Sequence, residues 1–312
     1  MEKVVVALGG NALQDSGSAA TAEAQLQVVK KTTEYLADII QDGYNVIIAH
    51  GNGPQVGRIV IQNETARAVT PAMPLDVCGA MSQGMIGYHM QQALGDELRS
   101  RNIQKPVVSI VTQVVVDKED GAFENPTKPI GPFYTKEEAE KLRDEKGYDI
   151  VEDSGRGYRR VVASPQPKKI VEIETVKTLI ENDNIVITVG GGGIPVIEKN
   201  GKLHGTAAVI DKDLASEKLA EDIDADTLVI LTAVERVAIN FGKPDQKNLD
   251  IVTVDEMKNY ADEGHFAPGS MFPKVMAAIK FAESKPGRKA VIASLDKAKE
   301  ALRRESGTIV QL

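Results

Sequence analysis

Three glycine-rich stretches, each directly after an apolar run, are where chemistry is easiest to place: "GGNA" (9–12) after "VVVAL", "HGNG" (50–53) after "NVIIA" and "GGGGIP" (190–195) after "IVITV". Glycine lets backbone N–H groups approach a ligand with no Cβ in the way, and Pro54 suits the first turn of a helix. N–H groups at a helix start attract anions, so a phosphate is the obvious guest. Gly9, Gly10 and Asn11, then Gly51, Asn52 and Gly53, repeat a Gly-Asn pattern whose amide can donate to an anion. Taken alone, "HGNGPQVG" does not separate a kinase from a dehydrogenase, because Gly51, Gly53 and Gly57 also fit a G-x-G-x-x-x-G variant of the dinucleotide loop. A dehydrogenase needs an acidic residue ending its second strand about 20 residues further on. Here that region reads "ARAVTPAMPLD", with no strand ahead of Asp76.

Other signatures are missing. "NGKL" and "FGKP" have neither the spacing nor the hydroxyl of a Walker-A loop, and neither H-R-D, D-F-G nor G-x-S-x-G occurs. His50, His89, His204 and His265 stand far apart and read as structural or exposed residues, with no second cysteine to complete a zinc site. Met73, Met81, Met85 and Met90, with Tyr88, read as core or dimer interface, and Cys78 as a small buried hydrophobe.

The elements that must hold these loops follow from the hydropathy pattern. The chain has 312 residues, 42% hydrophobic and 26% charged, with a net charge of -8, as for an ordinary globular protein with a large core. An acidic surface gathers no polyanion, so nucleic acid and acidic membrane are not expected partners. One cysteine excludes an internal disulfide, no apolar run is long enough to span a membrane, and glycines follow "KVVVAL" too soon for a signal sequence. The expectation is a cytoplasmic protein. "KVVVAL", "NVIIA", "VVSIVTQVVV", "NIVITV", "TLVIL", "KAVIA" and "TIVQL" read as strands, several of them continuous β-branched runs, and they alternate with helical stretches such as residues 21–43. That pattern predicts an α/β fold: an open, mostly parallel sheet sandwiched by helices. "VIEKNGKLHG" reads as a hairpin turning at Asn200-Gly201. Residues 118–165 interrupt the alternation with prolines and glycines yet keep Phe123, Phe133, Tyr134, Tyr148 and Tyr158, the composition of a small folded insertion able to act as a lid.

Longer strings carry a resemblance. "ALGGNAL", "HGNGPQVG", "PAMPLDVCGAMSQGMIGY", "NPTKPIGPFYT", "EDSGRGYRRVVASPQP", "GGGGIPV", "AVIDKDLASEKLA" and "GHFAPGSMFPKV" resemble, in order along the chain, the carbamate kinases of the amino acid kinase family. The resemblance implies reversible phosphoryl transfer between carbamoyl phosphate and ADP, giving ATP and carbamate, with Mg²⁺ carried by the nucleotide phosphates and no protein metal site. It implies a homodimer, an N-terminal lobe (1–206) for carbamate or carbamoyl phosphate that contains the lid, and a C-terminal nucleotide lobe (207–312). It does not set the direction, whether ATP synthesis in arginine breakdown or carbamoyl phosphate formation, because both share one transition state. Another small-acid kinase of the family is the alternative, a dehydrogenase a more distant one.

Phosphoryl transfer asks for positioning and cationic shielding, so lysines matter most. Lys212 lies between Asp211 and Asp213, which can hold it in place, although either carboxylate can also cap a helix. By analogy with the family, Lys274 beside the Gly-Ser turn suits the β- and γ-phosphates. Sister enzymes such as acetylglutamate kinase carry a lysine just before the first glycine pair, where this chain has Ala7 and Leu8. The missing charge then has to come from elsewhere, and the resemblance points to Lys128 in the insertion. Gly9, Gly10, Asn11, Gly51, Asn52 and Gly53 would line the carbamate or phosphate side, joined by Arg156 of "GRGYRR", a cluster that can equally be a solvated face. Nucleotide contacts are expected from Thr232 and Ala233 after "TLVIL" and from Gly269, Ser270 and Met271.

Overall fold

The computed structural model describes residues 1–14, 19–153, 155 and 157–312. An eight-stranded sheet runs in the order β15 (Ile251–Thr253), β17 (Thr308–Gln311), β16 (Lys289–Ser294), β12 (Thr227–Thr232), β1 (Lys3–Leu8), β2 (Asn45–His50), β9 (Ile185–Ile187) and β3 (Val107–Ser109). Every neighbouring pair is parallel except β16 with β17, so the open, mostly parallel sheet expected from the alternation is present. In β1 the side chains of Val4, Val6 and Leu8 enter one core and those of Val5 and Ala7 the other. Helices cover both faces, which is why the strand sequences read as continuous apolar runs instead of alternating. Helices α1 (Ala22–Gln41), α3 (Leu75–Ser100) and α9 (Ala298–Leu302) pack on the first face. The second is covered by α5 (Ile173–Glu181), α6 (Lys212–Asp222), α7 (Val254–Asp262) and α8 (Met271–Glu283). No described helix is long and apolar enough to cross a membrane.

The predicted boundaries of α1 hold: the Thr21 hydroxyl accepts from the Ala24 N–H at 3.2 Å, and Gly43 just beyond the last turn takes φ +93°. A second sheet has the order β11 (Lys202–Gly205), β10 (Ile194–Lys199), β4 (Gln113–Val116) and β8 (Pro167–Ile170), and its β10–β11 hairpin turns at Asn200-Gly201 with φ of 53° and 70°. A short ribbon pairs β13 (Ala238–Ile239) with β14 (Lys247–Asn248).

One expected strand is two. The run "VVSIVTQVVV" breaks at Thr112, so that β3 ends the large sheet and β4 enters the second one. Side chains replace the ladder at the break: Gln83 of α3 accepts from the Thr112 N–H at 2.8 Å and donates to its carbonyl at 3.1 Å. Those bonds satisfy a buried backbone that would otherwise have to continue a strand.

The insertion is folded, as its aromatics implied. β5 (Lys128–Tyr134), β7 (Tyr158–Val162) and β6 (Ile150–Glu152) form a three-stranded sheet, and α4 (Lys136–Lys146) opens with a Thr135–Glu138 capping box. It rests on α2 (Gly53–Thr65), where Glu64 pairs with Lys146 and accepts from the Tyr148 hydroxyl at 3.3 Å.

The junction from β9 to β10 allows a direct check. Gly192 has φ +90°, and a Cβ there would lie 2.3 Å from the Ile210 carbonyl oxygen, one residue before Asp211. Gly201 also has positive φ, but nothing lies within 4 Å of its added Cβ. Gly201→Ala should cost about 1 kcal/mol of left-handed strain, and Gly192→Ala at least about 2 kcal/mol more because the backbone must move. Equal losses in denaturant titrations would contradict this packing.

Candidate active site

The carboxyl ends of β1, β2 and β12 converge with the N-termini of α6 and α8, the edge at which open α/β sheets bind ligands. Asp211 caps α6, accepting from the Asp213 N–H at 2.9 Å, and its other oxygen takes Lys128 Nζ at 2.9 Å from the first residue of β5. Asp213 is 2% exposed and binds two lysines, Lys212 Nζ at 2.5 Å on one oxygen and Lys274 Nζ at 3.1 Å on the other. Burial works to raise the Asp213 pKa, but the two ammonium groups outweigh it and hold the carboxyl below its usual range. Lys274 also donates to the Ser270 carbonyl at 3.3 Å. Three lysines from three elements thus surround two carboxylates, an excess of positive charge fit to meet phosphate.

Two adjoining cavities lie here, the first of them lined by two lysines of the cluster. One, of about 200 Å³, is a recess lined by Gly9, Gly10, Asn11, Lys212, Thr232, Ala233 and Lys274. The other, of about 510 Å³, shares Thr232 and Ala233 with it and is walled by Phe241, His265, Ser270 and Met271. Gly269, with φ +72°, makes the turn that brings Ser270 and Met271 there. On the opposite side, a Cβ at Gly51 would lie 3.2 Å from the Lys212 side chain, so this glycine lets the lysine cross the loop. The Asn52 amide turns inward and donates to Ser82 Oγ at 2.8 Å, which leaves backbone N–H groups as what the loop can offer a ligand. Asp76 lies in the first turn of α3 and not at a strand end, so the dinucleotide reading has no ribose-binding acid.

The candidates therefore assemble in part around one point: Lys128, Lys212, Lys274, Asp211, Asp213, the two Gly-Asn loops, and the pair Thr232 and Ala233. Arg156 lies outside the described residues. Its neighbours serve the inserted subdomain: Arg159 donates to the Gly131 carbonyl at 3.2 Å, and Arg160 stacks 3.7 Å over the Tyr148 ring. Side chains with no site role assigned from the sequence complete the larger cavity, among them Arg236, Asn240, Phe241, Glu263 and His265, with His265 Nε2 3.1 Å from Glu263. Thr232 and Ala233 after "TLVIL" pointed to the region, but the wall residues are polar and aromatic types with no spacing of their own. Gln83 behind the loops was likewise not singled out, and His50 read only as structural or exposed.

Residues 2–294 match the profile of the amino acid kinase family. The chain belongs to the amino acid kinase family. The family member carbamate kinase of Clostridium perfringens is 57% identical over 309 residues, covering 98% of each chain. Among solved structures, carbamate kinase from Giardia lamblia bound to AMP-PNP matches this amino acid kinase with TM-score 0.94 and 45% identity, covering 99% of this chain and 98% of that one. The Giardia enzyme thiocarbamoylated by disulfiram on a cysteine matches with TM-score 0.91 and 44% identity, over 99% and 98% of the two chains.

This amino acid kinase differs from that last protein in what it offers the reagent. Its one cysteine, Cys78, is 1% exposed, and its thiol donates to the Met73 carbonyl at 3.6 Å. Burial raises the thiol pKa, and the Asp76 and Glu64 carboxylates add to the rise, so the reactive thiolate is scarce. Native protein incubated with disulfiram should keep its mass and activity, while protein unfolded in guanidinium should gain one adduct. An adduct on the native protein would contradict the burial of Cys78.

Proposed function

We propose that this chain is a carbamate kinase, moving a phosphoryl group reversibly between carbamoyl phosphate and ADP to give carbamate and ATP. The observation that carries this reading is the lysine cluster: Lys212 and Lys274 on Asp213 face the recess lined by Gly9, Gly10 and Asn11, and Lys128 reaches the same helix N-terminus from the lid. In this assignment the roughly 510 Å³ cavity takes the nucleotide, the shared wall at Thr232 and Ala233 leads its phosphates into the recess, and the Gly51–Gly53 loop holds carbamate or its phosphate. Residues 1–206 then form the acceptor lobe and 207–312 the nucleotide lobe, joined through the β1–β12 pair of one sheet.

The chain's residues supply charge and position. Lys212 and Lys274 shield the phosphoryl oxygens, Asp213 fixes both ammonium groups so that little reorganisation accompanies transfer, and Lys128 adds a cation on the lid side. The lid also keeps water from an activated acyl phosphate. Mg²⁺ fits as a passenger on the nucleotide, since the two carboxylates at the site, Asp211 and Asp213, are both engaged by lysines. It would neutralise charge on the phosphates.

A homodimer belongs to the same reading. Val77, Met81 and Tyr88 of α3 stand exposed in one row with Met73 and Val111 nearby, an apolar surface suited to a second copy.

Purified protein mixed with carbamoyl phosphate, ADP and Mg²⁺ should form ATP. No ATP from folded protein would sink the proposal, and ATP formed from a different acyl phosphate would move the assignment to another small-acid kinase. Lys128→Ala should lower kcat by about a hundredfold, about 3 kcal/mol of transition-state stabilisation, while the Kd for ADP stays within about threefold. Near-normal turnover, or loss of ADP binding instead, would show that the lid lysine plays no part in transfer.

A further inference from the structure

Behind the β2–α2 loop sits a side chain that phosphoryl transfer does not itself use. His50 ends β2 and is 1% exposed. Burial pushes its imidazole down to about 4, against a weaker opposing pull from its bond to Gly51, so it is neutral at working pH. A neutral imidazole carries one N–H and one bare nitrogen. Nδ1 lies 2.7 Å from the Gly51 carbonyl oxygen, and since that oxygen can only accept, the proton is on Nδ1.

The polar groups of the loop can be accounted for one by one. The Gly51 N–H donates to the Leu8 carbonyl at 3.0 Å, the Asn52 carbonyl accepts from the Val56 N–H at 2.8 Å, and the Asn52 amide donates to Ser82 Oγ at 2.8 Å. The Gly51 carbonyl is taken by His50. What remains are the Asn52 and Gly53 N–H groups, for which no acceptor is found among the described residues. A trans peptide directs its carbonyl and its N–H to opposite sides, so a Gly51 carbonyl bonded to His50 turns the Asn52 N–H away from that ring, and Lys212 passes alongside Gly51. The ring has little freedom to swing away: a Cβ at Gly190 would lie 2.6 Å from Nε2, and the Gly190 carbonyl is held by Gln83 Nε2 at 2.8 Å.

We propose that His50 is a positioning residue for phosphoryl transfer, its Nδ1–H holding the Gly51 carbonyl in the core and thereby aiming the Asn52 N–H at the transferred group. The catalytic part of this statement rests on the carbamate kinase reading. The contact itself does not.

Two uncharged variants separate the positioning role from mere filling of space. In His50→Asn an amide N–H stands in for Nδ1–H, whereas in His50→Gln the amide reaches toward Nε2 and Gly190. His50→Asn should keep kcat within about threefold of the parent, and His50→Gln should lose about tenfold or more in kcat, both with the KM for ADP unchanged. Equal rates in the two variants, or a loss shared by kcat and the KM for ADP, would overturn the proposal. A second measurement needs no variant: ¹⁵N NMR of the parent protein's histidine rings at neutral pH should show His50 protonated at Nδ1, and protonation at Nε2 would overturn the proposal outright. Failure of the parent protein to make ATP would count against the carbamate kinase reading alone, because the tautomer still decides whether His50 holds Gly51.

Discussion

One buried carboxylate organises the site. Asp213 accepts from Lys212 and Lys274 with its two oxygens while almost wholly withdrawn from water. Two like charges about 4 Å apart repel by about 4 kcal/mol at an effective dielectric near 20, so two lysines would not share a dry recess without an anion between them. A buried carboxylate with a single partner would in turn pay a desolvation penalty that one weak pair does not offset. The two requirements satisfy each other at Asp213, and they tie the first turn of α6 to α8.

Asp211 extends the arrangement to the third element. As N-cap of α6 it satisfies a backbone N–H, and through Lys128 it anchors the first residue of β5. A lysine at a helix N-terminus is opposed by the helix dipole, and the flanking carboxylates compensate for it. The result is a cationic cluster held together by its own carboxylates, its positive charge set where an anion would bring more negative charge. The glycine junctions serve this cluster by removing atoms: Gly51 gives Lys212 its passage, and Gly192 lets the chain pass close to the Ile210 carbonyl just ahead of Asp211.

Much of this was written in local sequence. The parallel sheet followed from runs such as "KVVVAL", because strands covered on both faces need apolar residues throughout, and the folded insertion from aromatics that a linker would not retain. Lys212 was legible because its carboxylate partner is the next residue. The run through Thr112 was misjudged as one strand, since the bonds that break it come from Gln83, on a helix 29 residues earlier.

The amino-acid sequence by itself determined the α/β alternation, the three glycine loops at strand ends, the inserted subdomain, and the residue types able to shield a phosphate. Those are properties of neighbours along the chain, set by periodicity and backbone sterics. Only the tertiary structure decided that Lys274 shares Asp213 across 61 residues, that Lys128 reaches Asp211 across 83, and that the Asn52 amide turns inward to Ser82. It also decided the state of His50. Its bond is to the adjacent residue, yet the ring is neutral because it is buried, and it is hemmed in by Gly190 on a different strand's loop. Burial and charge pairing are sums over everything that surrounds a group, and in a folded chain most of those surroundings come from residues distant in sequence.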